Sequence, residues 1–115
     1  YGTTRLTMSS MCCSRNDIVL LPIPFTDLNS SKVRPAIVVG FGSFSGDLFV
    51  VPITSQAFNW DVPLKEWQLS GLNVPSGVKA QLATVHDSLI RKVVGQISES
   101  DRCVLDQELR RWLEL

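Results

Sequence analysis

The sequence predicts a small, mainly β domain: a barrel of short strands with one C-terminal α-helix. Three observations carry this. Short β-branched and aliphatic runs recur along the chain, separated by clusters of Gly, Pro, Asn, Asp and Ser, which is the spacing of a small barrel. The apolar pattern switches to a helical period only after Ser98. Finally, 115 residues with 44% apolar content supply one real core, so a single domain is expected.

Taken in order, residues 1–14 ("YGTTRLTMSSMCCS") lack the charged start and long apolar centre of a secretory signal and are expected to be a disordered leader to a domain at 15–115. Residues 18–23 form a first strand, stopped by Pro22 and Pro24, which cannot donate to a central ladder. "FTDLNSSK" concentrates residues that bond their own backbone in turns, so 25–32 is an exposed connection. Residues 33–41 are apolar on both alternating faces, as in a strand covered on both sides. "GSFSGD" is a hairpin turn, and 48–53 is its return strand. Further strands are expected at 61–64, 78–82 and 90–97. In the last segment Ser98 and Asp101 approximate a capping arrangement. Leu105, Leu109, Trp112 and Leu113 fall on one helical face, with acids early and Arg110 and Arg111 late, which complements the backbone dipole.

Composition narrows the function classes. No apolar run approaches the roughly 20 residues needed to cross a bilayer, so no membrane partner is expected. Cys12 and Cys13 are adjacent and Cys103 lies in the helical pattern, which gives no disulfide framework and fits a reducing cytoplasm. With one distant histidine, the three cysteines show no paired ligand spacing, and neither a metal nor a cofactor is expected. The eleven basic and eleven acidic residues cancel, so a polyanion would have to meet a local patch. Lys32, Arg34 and Lys79, with few acids near them in sequence, are the candidates.

The stretches "NDIVLLPIPFTDLNSSKVRPAIVV", "VPITSQ" and "SGLNVPSGVKAQLATVHDSLIRKVVGQIS" closely resemble, in order and spacing, the PemK/MazF family of toxin endoribonucleases. The resemblance runs from Asn16 into the final helix. It implies an SH3-like β-barrel working as a homodimer, metal-independent and sequence-selective cleavage of single-stranded messenger RNA, and a cognate antitoxin partner that covers the RNA groove. It also implies Arg34 and Thr54 as the catalytic pair.

These residue types suit the chemistry. Cleavage without a metal uses the ribose 2′-hydroxyl as an internal nucleophile and needs stabilisation of a crowded, negatively charged phosphorus. An arginine offers two parallel donors to phosphate oxygens, and Pro35 holds Arg34 in extended geometry at a strand start. The plain alternative for Arg34 is a surface ion pair with Asp17 or Asp27. A threonine hydroxyl can donate to a phosphate oxygen. Phe25, Lys32, Ser55, Gln56 and Lys79 are candidate RNA contacts, with bases read by the loops at 25–32 and 57–65. Some relatives carry an acid where Gln81 stands, and a glutamine cannot take a proton near neutral pH, so the general base is left unassigned. His86, alone in a turn, stays outside the catalytic set. Asn16 replaces the family's usual glycine, and asparagine tolerates turn conformations. Two other readings keep the fold: a non-catalytic toxin of the gyrase-poisoning type that acts by binding protein, and a decayed toxin that retains only antitoxin binding.

Overall fold

The computed structural model describes residues 13–22 and 32–115. Phe25, Asp27, most of the connection before Lys32 and residues 1–12 lie outside these. The elements are β1 (Asp17–Pro22), β2 (Val33–Phe41), β3 (Asp47–Thr54), β4 (Val62–Pro63), β5 (Gly77–Val78), β6 (Ala83–His86), β7 (Lys92–Gln96) and α1 (Glu99–Leu113), with short 3-10 turns between β3 and β4, β4 and β5, and β6 and β7.

The strands run antiparallel in the order β4-β5-β3-β2-β1-β7. Strand β3 is long enough to serve two partners on one edge. Its first half pairs with β6 and its last two residues pair with β5. Alternation then sorts the apolar residues onto two faces. Ile18, Ile37, Val51 and Ile53 join Leu105 and Leu109 of α1 in one buried cluster. Val19, Leu21, Ala36, Val38, Val50 and Val85 form a second, made of strand residues without the helix, as a sheet coiled over its own face would produce. Consecutive Ala36, Ile37 and Val38 are fully buried because both faces of β2 are covered, as its unbroken apolar run predicts.

The expected barrel is an open sheet. Among the described residues no ladder joins β7 to β4 or β6. The 3-10 turn Trp67–Ser70 lies against β7 instead, and a backbone without strand geometry cannot close the hydrogen-bonded ring. Three strand expectations also shorten, the run at 90–97 to β7 at 92–96. The run at 78–82 breaks after Val78, because the Lys79 N–H donates to the Pro52 carbonyl (3.1 Å) and the Gln81 N–H turns back to the Lys79 carbonyl (2.7 Å). A separate strand, β6, then starts at Ala83. The run at 61–64 pairs only at Val62 and Pro63.

Helix α1 starts as its cap signal predicts, with the Ser98 hydroxyl accepting from the Asp101 N–H (3.2 Å). The Asp101 carboxylate is buried and accepts from the backbone N–H groups of Lys65 (3.1 Å) and Glu66 (3.0 Å), tying the helix to the chain after β4. The hydroxyls of Ser98 and Ser100 hold the Glu66 carboxyl below its ordinary range. Trp112 packs on the first cluster, whereas Leu113 is left exposed.

Candidate functional site

Strand β2 begins at the end of the sheet where β3 finishes. Ala36 pairs with Pro52, and Pro35, with no N–H to give, stands where the ladder stops. Arg34, two residues before Ala36, and Thr54, two residues after Pro52, lie just beyond the last pair of that ladder. Both line one open cleft of about 650 Å³ at these strand ends. Arg34 is exposed, and among the described residues no carboxylate lies within ion-pairing distance of it. Asp17, a partner suggested by the sequence, sits at the other end of β1 and accepts from Ser14 and Gln96.

Thr54 is fixed from three sides. Its hydroxyl oxygen accepts from the Gln56 N–H (3.1 Å), which leaves the hydroxyl hydrogen available to the cleft. Its carbonyl accepts from the indole N–H of Trp60 (2.8 Å). It also pairs across the ladder with Gly77, and the Trp60 ring lies so close to that glycine that a Cβ there would meet it at 2.4 Å. Gly77 is small so that the ring can reach over it to the Thr54 backbone. The chain beyond is pinned by the Asp61 carboxylate, which accepts from the Ala80 N–H (2.7 Å) and so sets Lys79 and Gln81 along the cleft.

The facing wall depends on another close approach. A Cβ on Gly95 would meet the Ser70 carbonyl oxygen at 2.1 Å, and one on Gly71, whose φ is +88°, would meet the Val94 carbonyl oxygen at 2.4 Å. Backbone therefore packs on backbone between β7 and the turn after Trp67, which carries Leu72, Asn73, Val74 and Ser76 to the cleft.

Of the residues singled out from sequence, Arg34, Thr54, Ser55, Gln56 and Lys79 all line this cleft. Lys32 is exposed at the foot of β2 and is not part of the wall, and Phe25 lies outside the described residues. Asn59 falls in the 57–65 segment expected to read bases, and its amide N–H donates to Gln56 (2.9 Å). Asn73 and Ser76 sit in a stretch read only as a turn, so nothing in the sequence distinguished them. Gln81 also lines the cleft, and its side-chain oxygen is buried without a partner among the described residues. Among the described residues, the wall carries two cations, several amides and hydroxyls, and no Asp, Glu, His or Cys. His86 lies elsewhere: its Nδ1 accepts from the Ser88 N–H (3.1 Å) and its ring packs at Gly46, at the opposite end of β3. No group of three potential metal ligands occurs among the described residues.

Fold and cleft together define the class: a small antiparallel β protein with one C-terminal helix that presents a positively charged, amide-rich groove at the ends of its central strands. The particular family follows from the sequence, since residues 14–113 match the PemK-like, MazF-like toxin of type II toxin-antitoxin systems. The chain belongs to that family.

Two solved structures share the fold. One is an endoribonuclease in complex with its cognate antitoxin from a Mycobacterial species, with a TM-score of 0.68 and 17% identity over 90% of this chain and 94% of that one. The other is the Mycobacterium tuberculosis toxin MazF-mt6, with a TM-score of 0.64 and 18% identity over 86% of this chain and 97% of that one. No curated protein matches the sequence. Among the described residues no helix is long and apolar enough to cross a membrane.

Proposed function

We propose that this toxin is a metal-independent, sequence-selective endoribonuclease acting on single-stranded messenger RNA. The observation that supports it best is the placement of Arg34 and Thr54 on one cleft wall, with the guanidinium unneutralised by any described carboxylate. In this reading the ribose 2′-hydroxyl gives its proton to solvent hydroxide and its oxygen attacks the adjacent phosphorus, the bond to the 5′-oxygen breaks, that oxygen takes a proton from water, and the products are a 2′,3′-cyclic phosphate and a free 5′-hydroxyl. Arg34 holds two phosphate oxygens as charge builds up on them, and the Thr54 hydroxyl donates to one of them. Lys79 adds positive charge, while Ser55, Gln56, Asn59 and Asn73 orient the strand and its bases.

No described cleft residue can accept the 2′ proton near neutral pH, and Gln81 stands where some relatives carry an acid. The rate should therefore rise with pH without an inflection in the carboxylate or imidazole range. The partners proposed with this activity are a cognate antitoxin covering the groove, as family membership suggests, and a second copy of the chain. The cytoplasm is the compartment that holds such a substrate.

The test is incubation of purified protein with single-stranded RNA and excess chelator. Cyclic-phosphate fragments should form, and Arg34→Ala should reduce cleavage by about 10³-fold with the fold intact. Inhibition of gyrase with RNA left uncut would instead make this a protein-binding toxin. Antitoxin binding without either effect would mark a decayed one.

A further inference from the structure

Leu20 and Leu21 lie near the end of β1, between two sets of cations. On one edge Leu21 pairs with Arg34. On the other, Lys92 pairs with Leu20, and the Arg91 N–H donates to the Leu20 carbonyl (2.8 Å). Leu20 itself lines the cleft, as does Val94 two residues beyond Lys92. Arg91 and Lys92 therefore stand two strand spacings from Arg34, roughly 10 Å, along the same end of the sheet.

The charge balance of this end differs from that of the helix. Arg15, Arg102 and Arg111 are paired with Asp106, Glu99 and Glu108. Arg34, Lys79, Arg91 and Lys92 have no ion pair among the described residues, as is also true of Lys65 and Arg110, and Arg91 and Lys92 are exposed on β7 and its approach. Asp87, the acid nearest to them in sequence, lies beside His86 at 3.4 Å. Unneutralised cations in a row fit a repeating anion, whose binding releases counterions, better than any single charged group.

We propose that Arg91 and Lys92 extend the cleft into a phosphate track that holds the RNA backbone flanking the scissile linkage. This deepens the endoribonuclease reading and rests on it for the identity of the strand. A strand whose scissile phosphate lies at Arg34 leaves the cleft across Leu20, where the side chains of Arg91 and Lys92 meet its next phosphates. They set affinity and register, while the cleft supplies the chemistry.

Binding of a long single-stranded 2′-deoxy oligonucleotide, which cannot be cleaved, tests the track separately from the reaction. The double variant Arg91→Gln/Lys92→Gln should bind about ten-fold more weakly at low salt, and the slope of log affinity against log salt should fall by roughly 1.4, two phosphate contacts on a single strand. A control with the same charge loss on α1, Arg110→Gln/Arg111→Gln, should keep the wild-type slope. An unchanged slope in the first variant overturns the track, whether or not RNA is cut. Weakened binding of an acidic poly-glutamate peptide with oligonucleotide binding intact also overturns it, and makes this a protein-docking surface. If the wild type binds the deoxy strand with the predicted slope but cuts no RNA, the track stands and the cleavage reading fails.

Discussion

Trp60 lies outside the proposed catalytic pair yet holds one member of it in place. Its ring covers Gly77 and its N–H holds the Thr54 carbonyl, so the threonine backbone has little freedom to move. Trp60→Phe keeps an aromatic ring but removes the donor and the indole's second ring, which should cost about 1–3 kcal/mol of stability. Cleavage should respond more strongly: kcat falls roughly ten- to a hundred-fold while KM barely changes, because a small displacement of Thr54 weakens contacts made to the crowded phosphorus. Steady-state kinetics on a fluorogenic RNA would show this split, and equal losses in kcat and stability-corrected folded fraction would reduce Trp60 to a packing residue. Asn16 illustrates a substitution legible from sequence. It takes the place of the family's usual glycine and does adopt a left-handed backbone, φ 78°, leaving its buried side-chain oxygen without a described partner.

Among the elements, β7 is the least tolerant of added volume. Gly95 touches the Ser70 carbonyl, and that contact sets the turn that forms the far wall of the cleft. Gly95→Ala should cost about 1–3 kcal/mol and also impair RNA binding, since Asn73 and Ser76 move with the turn. Leu105→Ala in α1 should cost more, about 2–5 kcal/mol, because that side chain is fully buried. No described residue of α1 lines the cleft, so RNA binding by the remaining folded fraction should be unchanged. Urea titrations combined with RNA-binding isotherms for the two variants distinguish a strand that shapes the site from a helix that only supports it.

At the scale of the molecule, β1, β2 and β3 each send alternate residues to both buried clusters, Ile18 against Val19, Ile37 against Val38 and Val51 against Val50. Neither core can be lost without the other. Urea unfolding followed by tryptophan fluorescence, which reports Trp67 and Trp112 on the first cluster and Trp60 at the cleft, should therefore superpose on far-UV circular dichroism. If the proposed dimer forms, the common midpoint should rise with protein concentration, and a midpoint independent of concentration would argue for a monomer.

The family resemblance, read with local chemistry, pointed to Arg34, Thr54, Ser55, Gln56 and Lys79, which line one cleft. The Arg-Pro step, the Ile-Thr-Ser-Gln run and the Gly-Val-Lys segment each bring a donor or cation into a stretch of backbone whose conformation its own residues restrict, and short apolar runs between turn residues and a helical pattern located β1, β2, β3, β7 and α1. Short strands such as β4, β5 and β6 carry too few residues to show a period, so their limits came only from hydrogen bonds to distant partners. Tertiary structure alone decided that the sheet stays open, that Asn73 and Ser76 reach the cleft, and that Arg91 and Lys92 stand beside β1 across from Arg34. The reason is that each depends on register or backbone contact between segments far apart in the chain, which no local pattern encodes.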